Sequence, residues 1–303
     1  MNFFAMITVA AMLLNVACNN PEKKRKAIAY PDKIYSTDSL NIHYTIDGAG
    51  DTTLFFIHGW AINHSYWSNQ VSGFSARYKV VTVDLPGFGA SEPGRKEYTI
   101  EKYADDIAAV IDQLNLENVI LIGHSMSGDI VIEALRKHPQ HISGLVGIDN
   151  FQDVGRIITL KDQQEIQNFM DALKKSYQQT AGTYADQTLF HKDTDTAIRK
   201  KVINDIKMAD STVAISALEG LLKYQQQERT VLQQLTLPLL LVNSDANPVD
   251  TMALAKFCRS GFQVFYVPST RHYPMIEKPE EFNRALQNAI NSIPHRNETT
   301  KNR

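Results

Sequence analysis

Residues 119–128 of the chain read Val119-Ile120-Leu121-Ile122-Gly123-His124-Ser125-Met126-Ser127-Gly128. The four leading aliphatic residues show no polar alternation, which is typical of a strand buried on both faces of a sheet. The residues from Ser127 to Arg136 place apolar side chains on one broad stripe, which predicts a helix. Ser125 therefore lies at a sharp turn between strand and helix. A serine in such a turn exposes its hydroxyl, and the following backbone N–H points toward any group bonded to it, so the geometry suits nucleophilic attack.

The composition is that of an ordinary globular protein. Of the 303 residues 43% are hydrophobic, which is ample for a large buried core. The formal net charge of -2 gives no long-range attraction toward nucleic acid, and the body of the chain has no basic helix interleaved with aromatic residues. We therefore expect no nucleic-acid partner.

The amino terminus has the pattern of an export signal. The segment from Phe3 to Ala17 is apolar but shorter than the ~20 residues that a membrane-spanning helix needs. Cys18 follows a small residue and resembles the lipidated cysteine of bacterial lipoproteins. We predict a signal peptide over residues 1–18 and a tether over residues 19–29. The protein would then be exported. It would either be attached to the membrane only through a lipid on Cys18, or be cleaved before Cys18 without a lipid and be periplasmic.

Strands and helices alternate along most of the remaining chain, which predicts a mostly parallel sheet with helices on both faces. The first two strands read as an antiparallel hairpin. The predicted strands are 33–36, 40–46, 53–57, 78–85, 119–122, 142–148, 237–242 and 263–267. The predicted helices of this α/β core are 103–114, 127–136, 249–258 and 279–293. The core therefore comprises residues 30–152 and 235–295.

The middle of the chain departs from this alternation. Residues 153–234 read as successive helices without a convincing strand between them, the clearest at 163–177, 193–207 and 211–225. We predict that they form a helical cap inserted into the core. Residues 296–303 read as a polar tail.

Open α/β sheets carry their reactive groups beyond the carboxyl ends of the strands. The side chains at such positions are His58, Asp84, Ser125, Asp149, Asp245 and His272. Together with the residues around them, the order Ser125, Asp245, His272 resembles the α/β-hydrolase superfamily over about residues 33 to 295. The resembling segments are His58-Gly59-Trp60, Asp84-Leu85-Pro86-Gly87-Phe88-Gly89-Ala90-Ser91, Gly123-His124-Ser125-Met126-Ser127, Asn243-Ser244-Asp245, and the stretch from Ser269 to Phe282.

The resemblance gives each residue a chemical task. Ser125 would be the nucleophile, and His272 would accept its proton. Asp245 would orient the imidazole, although Asp149 is an alternative because some α/β-hydrolases carry their acid after that strand. The backbone N–H groups of Trp60 and Met126 would stabilise the oxyanion. We expect no metal, because the nine histidines show no close pair with a carboxylate at ligand spacing, and no cofactor, because this chemistry needs none.

The sequence therefore predicts a serine hydrolase that cleaves an ester or related acyl bond of a small apolar substrate. Lactonase, carbon–carbon-bond hydrolase, perhydrolase and acyltransferase activities use the same serine and histidine and stay open, as do the substrate and the oligomeric state. The alternative is a ligand receptor or signalling module with little turnover. It is suggested by Ser127, which gives the turn the sequence Gly-His-Ser-x-Ser found in a receptor-like branch of the superfamily.

Overall fold

A seven-stranded sheet organises residues 30–294, the part of the chain that this computed structural model describes. Two short strands form a separate antiparallel pair, β1 (Ile34–Tyr35) and β2 (Asn41–Ile42). The strands of the main sheet are β3 (Tyr44–Asp47), β4 (Thr53–Ile57), β5 (Lys79–Val83), β6 (Val119–His124), β7 (Ile142–Ile148), β8 (Leu239–Ser244) and β9 (Phe262–Val267). The predicted signal peptide with Cys18, the tether and the polar tail lie outside the described residues, so export and lipidation stay predictions.

The strand order of the main sheet is β3-β5-β4-β6-β7-β8-β9. Only β3 is antiparallel to its neighbour, and every other pair is parallel. The parallel strands β4, β6 and β8 are buried along their whole length, which explains the run of apolar residues in each. The predicted α/β class with a mostly parallel sheet is confirmed. The carboxyl ends of these strands meet along one edge of the sheet.

Helices connect the strands. The helices of the core are α1 (Ser68–Phe74), α2 (Ile100–Gln113), α3 (Met126–Lys137), α9 (Thr251–Phe257), α10 (Pro274–Glu277) and α11 (Pro279–Asn291). Between β7 and β8 lie α4 (Leu160–Lys175), α5 (Tyr177–Thr188), α6 (Thr196–Met208), α7 (Ser211–Tyr224) and α8 (Glu228–Gln234). Among residues 30–294, no helix is both long and apolar enough to cross a membrane.

Several element boundaries differ from the sequence prediction for local reasons. The predicted second strand is divided at His43, so its first half pairs with β1 and its second half joins the main sheet beside β5. Helix α2 begins three residues early, because the Thr99 side chain accepts the Lys102 N–H and caps it. In the cap region α5 and α8 were not predicted. Helix α5 has a weakly amphipathic sequence of glutamines, threonines and tyrosines, and α8 is only seven residues long.

A buried carboxyl group of the core and a partly buried one of α8 connect α8 to α3. Asp129 of α3, four residues after Ser125, is hydrogen-bonded to Glu228 at the start of α8. Burial raises the pKa of both groups, that of Asp129 well above its usual range and that of Glu228 to about 7. Nearby, the Tyr224 hydroxyl donates to Glu133 of α3 at 2.9 Å. Acidic groups of α3 thus contact the last two helices of the cap.

We expect Glu228→Gln to stabilise the protein above pH 7 but not near pH 4.5. The folded protein keeps protons on this pair that the unfolded chain releases above the usual glutamate pKa, so folding stability falls as pH rises between about 4.5 and 7. A neutral glutamine removes this loss, worth about 1–2 kcal/mol above pH 7, or roughly 2–8 °C in Tm. Thermal unfolding over pH 4.5–8 measures it. Glu165→Gln, on an exposed residue of α4, is the control, and equal pH dependence in both variants would contradict the prediction.

Candidate active site

The backbone at Ser125 has the sharp turn that the sequence indicates. Ser125 has φ 53° and ψ −120°, a left-handed conformation that is costly for a residue with a side chain. The Ser125 N–H donates to the Ile148 carbonyl of β7 at 2.9 Å, and the Gly128 N–H donates to the Ser125 carbonyl at 2.8 Å. A Cβ on Gly123 would lie 2.1 Å from the Ser127 carbonyl oxygen, so only glycine allows α3 to start this close to β6. The turn presents the hydroxyl of Ser125.

Three side chains from the ends of different strands form a continuous hydrogen-bonded chain. The Nε2 atom of His272 lies 2.9 Å from Oγ of Ser125, and its Nδ1 lies 2.8 Å from Oδ2 of Asp149. The other oxygen of Asp149 accepts the Ser244 N–H at 3.1 Å. Burial alone would raise the pKa of Asp149, but its hydrogen bonds with His272 and with the Ser244 N–H hold it below its usual range. Asp149 is therefore a buried carboxylate that accepts a hydrogen bond from Nδ1–H of His272.

Asp245, which we expected to orient His272, does not contact the imidazole. Its side chain is exposed, and Oδ1 accepts the backbone N–H of Ser269 at 2.9 Å. The prediction of an Asp245–His272 pair is therefore wrong, and the alternative, Asp149, occupies that position. Asp245 stabilises the turn after β9, which leads into the loop that carries His272.

The position of Asp149 follows from the sheet and from its backbone. Strand β7 is the immediate neighbour of β6, so Asp149 follows the strand next to that of Ser125. Its φ of 45° turns the chain sharply at the sheet edge. The next residue, Asn150, donates from Nδ2 to the carbonyls of Gly123 and Ser125 at 3.2 and 3.4 Å. Sequence reasoning missed Asn150, which lies two residues after the end of β7 and has no local sequence signal.

The two expected oxyanion donors follow β4 and β6, which are neighbours in the sheet. Met126 is the first residue of α3, and Trp60 follows β4. Among residues 30–294 neither backbone N–H has a hydrogen-bond acceptor, which leaves both able to donate to a ligand. The loop of Trp60 is held by Ser127, whose hydroxyl donates to the His58 carbonyl, and by Nε2 of His58, which accepts the Leu85 N–H at 2.9 Å. Burial lowers the pKa of His58, which keeps the ring neutral.

His124 connects the nucleophile turn to the histidine loop. Its Nε2 donates to the backbone carbonyl of His272 at 2.7 Å, and the two rings lie 4.8 Å apart between centroids. Burial lowers the pKa of His124 to about 3, so the ring is neutral. Sequence reasoning treats His124 as a packing group. The structure adds a hydrogen bond that fixes the backbone of His272.

Helices of the cap region contact the loop of Trp60 and the loop of His272. The Trp60 indole N–H donates to the Ala214 carbonyl of α7 at 2.7 Å, and its ring packs edge-on against Tyr177. The Leu189 carbonyl, at the end of α5, accepts the His272 N–H at 3.2 Å, and Phe190 stacks on Tyr273. The surroundings of the triad are therefore largely aromatic and aliphatic. Among the described residues, the histidine and acidic groups close enough together to hold a metal ion are His43, His64 and Asp84, outside this triad.

Comparison with known proteins agrees with this architecture. Residues 52–279 match the family profile described as the alpha/beta hydrolase fold. The chain belongs to the α/β-hydrolase superfamily. In this superfamily it is 28% identical over 252 residues to a pimeloyl-[acyl-carrier protein] methyl ester esterase of Edwardsiella ictaluri, an alignment that covers 79% of this chain and 93% of that protein. It is 24% identical over 267 residues to strigolactone esterase D14 of Arabidopsis thaliana, covering 84% and 97%.

Solved structures of other α/β-hydrolases show the same fold. An esterase from Thermogutta terrifontis superposes with a TM-score of 0.76 at 21% identity, covering 88% of this chain and 99% of that one. An esterase from Exiguobacterium antarcticum gives a TM-score of 0.74 at 21% identity, covering 86% and 99%. At such low identity these likenesses concern the fold of this α/β-hydrolase.

Proposed function

We propose that this α/β-hydrolase is a serine hydrolase that cleaves an ester or related acyl bond of a small apolar substrate through an acyl-Ser125 intermediate. The observation that carries the proposal is the chain of hydrogen bonds from Asp149 through His272 to Ser125. A serine hydroxyl is a weak nucleophile, and an oriented imidazole at 2.9 Å is placed to accept its proton during attack.

The reaction follows from the roles of these groups. Ser125 Oγ forms a bond to the substrate carbonyl carbon as His272 Nε2 takes its proton, and the carbonyl oxygen becomes an oxyanion that accepts the Trp60 and Met126 N–H groups. His272 then protonates the departing alcohol, which leaves an acyl-Ser125 ester. Water attacks this ester with His272 again as the base, which releases the acid and restores Ser125. Asp149 holds the imidazole in the required tautomer and stabilises its protonated form.

The surroundings of Ser125 support an apolar substrate. The side chains next to the triad and oxyanion loop include Trp60, Tyr177, Phe190 and Tyr273, and two aromatic pairs connect the cap to the core. Apolar walls with a few placed polar groups are typical of small-molecule sites. The names of similar proteins include ester hydrolases, which supports ester cleavage as the first reaction to test.

Ser127, whose place in the turn suggested the receptor alternative, has a structural contact that fits either function. The Ser127 hydroxyl donates to the His58 carbonyl, so Ser127 has a structural task beside the oxyanion loop. A receptor would bind a small ligand tightly with little turnover of any acyl substrate. The experiment below separates the two functions.

The test is labelling of the full chain with a fluorophosphonate probe, followed by peptide mass mapping and a series of p-nitrophenyl esters of increasing acyl length. We expect one label, on Ser125, and turnover that depends on acyl length. Ser127→Ala is the control for an adjacent hydroxyl and should still be labelled on Ser125, at a lower rate because the Ser127 hydroxyl holds the loop of Trp60. A label on another residue, or no turnover of any ester, would overturn the proposal.

A further inference from the structure

Two histidines and one aspartate, none of them in the proposed triad, lie together beside the end of β5. One potential ligand atom from each of His43, His64 and Asp84 lies within 4.8 Å of the other two. The rings of His43 and His64 are 4.7 Å apart between centroids. Both histidines are partly exposed, whereas Asp84 is fully buried at the base of the cluster. The cluster is therefore open to solvent on its histidine side.

The carboxylate of Asp84 is positioned by backbone groups, independently of any imidazole. Oδ1 accepts the backbone N–H of His64 at 2.7 Å, and Oδ2 accepts that of Ala90 at 2.9 Å. The Asp84 N–H donates to the His43 carbonyl at 2.9 Å, which connects this residue to the start of β3. The segments of His64 and Ala90 thus hold the carboxylate, and His43 holds the main chain of Asp84. A carboxylate fixed in this way needs little reorganisation to bind an ion.

The two imidazoles complete a mixed nitrogen and oxygen ligand set. Nδ1 of His64 lies 2.9 and 3.0 Å from the two oxygens of Asp84, where one proton now bridges the groups. The backbone N–H of His43 donates to Ser91 Oγ at 2.8 Å, which fixes the main chain. Within residues 30–294 the His43 ring makes no hydrogen bond, and its recorded ring contact is with His64. One imidazole is thus oriented by the carboxylate, and the other is available beside it.

We propose that His43, His64 and Asp84 bind a divalent transition-metal ion of the Zn²⁺ type. Imidazole with carboxylate suits zinc, copper and nickel, whereas calcium and magnesium prefer oxygen ligands alone. As the metal–nitrogen bond to His64 Nδ1 forms, the bridging proton leaves to solvent and Asp84 becomes a metal ligand. With bonds of about 2.0–2.2 Å, tetrahedral ligand atoms lie about 3.3 Å apart. His64 Nδ1 and the Asp84 oxygens already lie 2.9 and 3.0 Å apart, so ion binding requires a closer approach of the partly exposed His43 ring.

The fold, not local sequence spacing, creates this site. His43 precedes β3, His64 lies in a short 3₁₀ turn after β4, and Asp84 follows β5. These strands are neighbours in the order β3-β5-β4, although the histidines are 21 positions apart in the chain. A search for close histidine pairs along the sequence therefore gave the opposite expectation. An ion bound here would connect three segments of the folded chain and stabilise it by mass action.

The test uses the untagged full chain, treated with a chelator and dialysed, with Zn²⁺ or Co²⁺ alone as the probe. We expect one ion per chain in calorimetric titration and a rise in Tm with added Zn²⁺. With Co²⁺ we expect an intense visible absorption band, which indicates a low coordination number with nitrogen and oxygen ligands. His43→Asn and His64→Asn should each weaken affinity at least about 10-fold. The control, His141→Asn, alters an exposed histidine that also pairs with a carboxylate, Glu117 at 2.8 Å.

The outcomes separate cleanly. Loss of metal binding in His43→Asn, with binding retained in His141→Asn, supports the proposed site. If His64→Asn fails to fold, the metal affinity of His43→Asn alone tests the proposal. Absence of stoichiometric binding, or equal affinity in the wild type and His43→Asn, would overturn it. Ester hydrolysis is not a readout here, so failure of the metal proposal leaves the proposed function untouched.

Discussion

Replacing Asp149 with asparagine is expected to lower kcat for an ester substrate by about 10⁴-fold while the fold is retained. The asparagine amide keeps the size of the side chain, but its NH₂ group would face Nδ1 of His272, which now contacts the carboxylate at 2.8 Å. The imidazole would then carry its proton on Nε2, toward Ser125, and could not accept the proton of the attacking hydroxyl. The measurement is kcat for a p-nitrophenyl ester, with Tm as the check on folding.

Asp245→Asn is the matched control for this prediction. It makes the same chemical change after the next strand of the sheet, but its carboxylate is exposed and, among residues 30–294, accepts a hydrogen bond from the Ser269 N–H alone. An asparagine oxygen can accept the same hydrogen bond, so we expect kcat to fall less than about 10-fold. A larger loss of kcat in Asp245→Asn than in Asp149→Asn would indicate that Asp245 orients His272, and it would contradict the hydrogen bond between Asp149 and His272.

These two aspartates show how far sequence reasoning extends into the site. Each lies directly after a strand of the same parallel sheet, so the sequence places both at the edge where Ser125 and His272 converge. What separates them is a backbone φ of 45° at Asp149 and hydrogen bonds between loops that are distant in the chain. Neither has a local sequence signal. The same holds for Asn150, which reaches back to the nucleophile turn.

The strands of the sheet were more predictable than the element boundaries and helix α5, because the strands have a local sequence signal. Buried parallel strands such as β4 and β6 contain runs of apolar residues, and this signal requires no knowledge of the neighbouring strand. The break at His43 depends on which sheet each half joins, and α5 forms from a sequence with little amphipathic pattern. Helix α5 packs against α6 and α4, so tertiary contacts stabilise it where local propensity gives no clear indication.

Ser125→Gly is expected to abolish hydrolysis and to make the protein more stable than Ser125→Ala. Both variants lack the nucleophilic oxygen, and kcat should fall on the order of 10⁴–10⁶-fold in each. They differ at the backbone, because φ 53° and ψ −120° are strained for alanine and permitted for glycine. After allowing for the greater freedom of glycine in the unfolded chain, we expect about 1 kcal/mol in favour of Ser125→Gly, or roughly 2–4 °C in Tm.

Thermal unfolding of the two variants, measured beside the wild type, tests whether the backbone conformation that exposes the Ser125 hydroxyl is strained. The surrounding hydrogen bonds, from Ser125 to Ile148 and from Gly128 and Asn150 to the Ser125 carbonyl, involve only backbone atoms of Ser125 and are unchanged in both. The comparison therefore isolates the backbone conformation. Equal Tm values, or a lower Tm in Ser125→Gly, would show that the turn at Ser125 is relaxed and that the hydroxyl is exposed at no cost in stability.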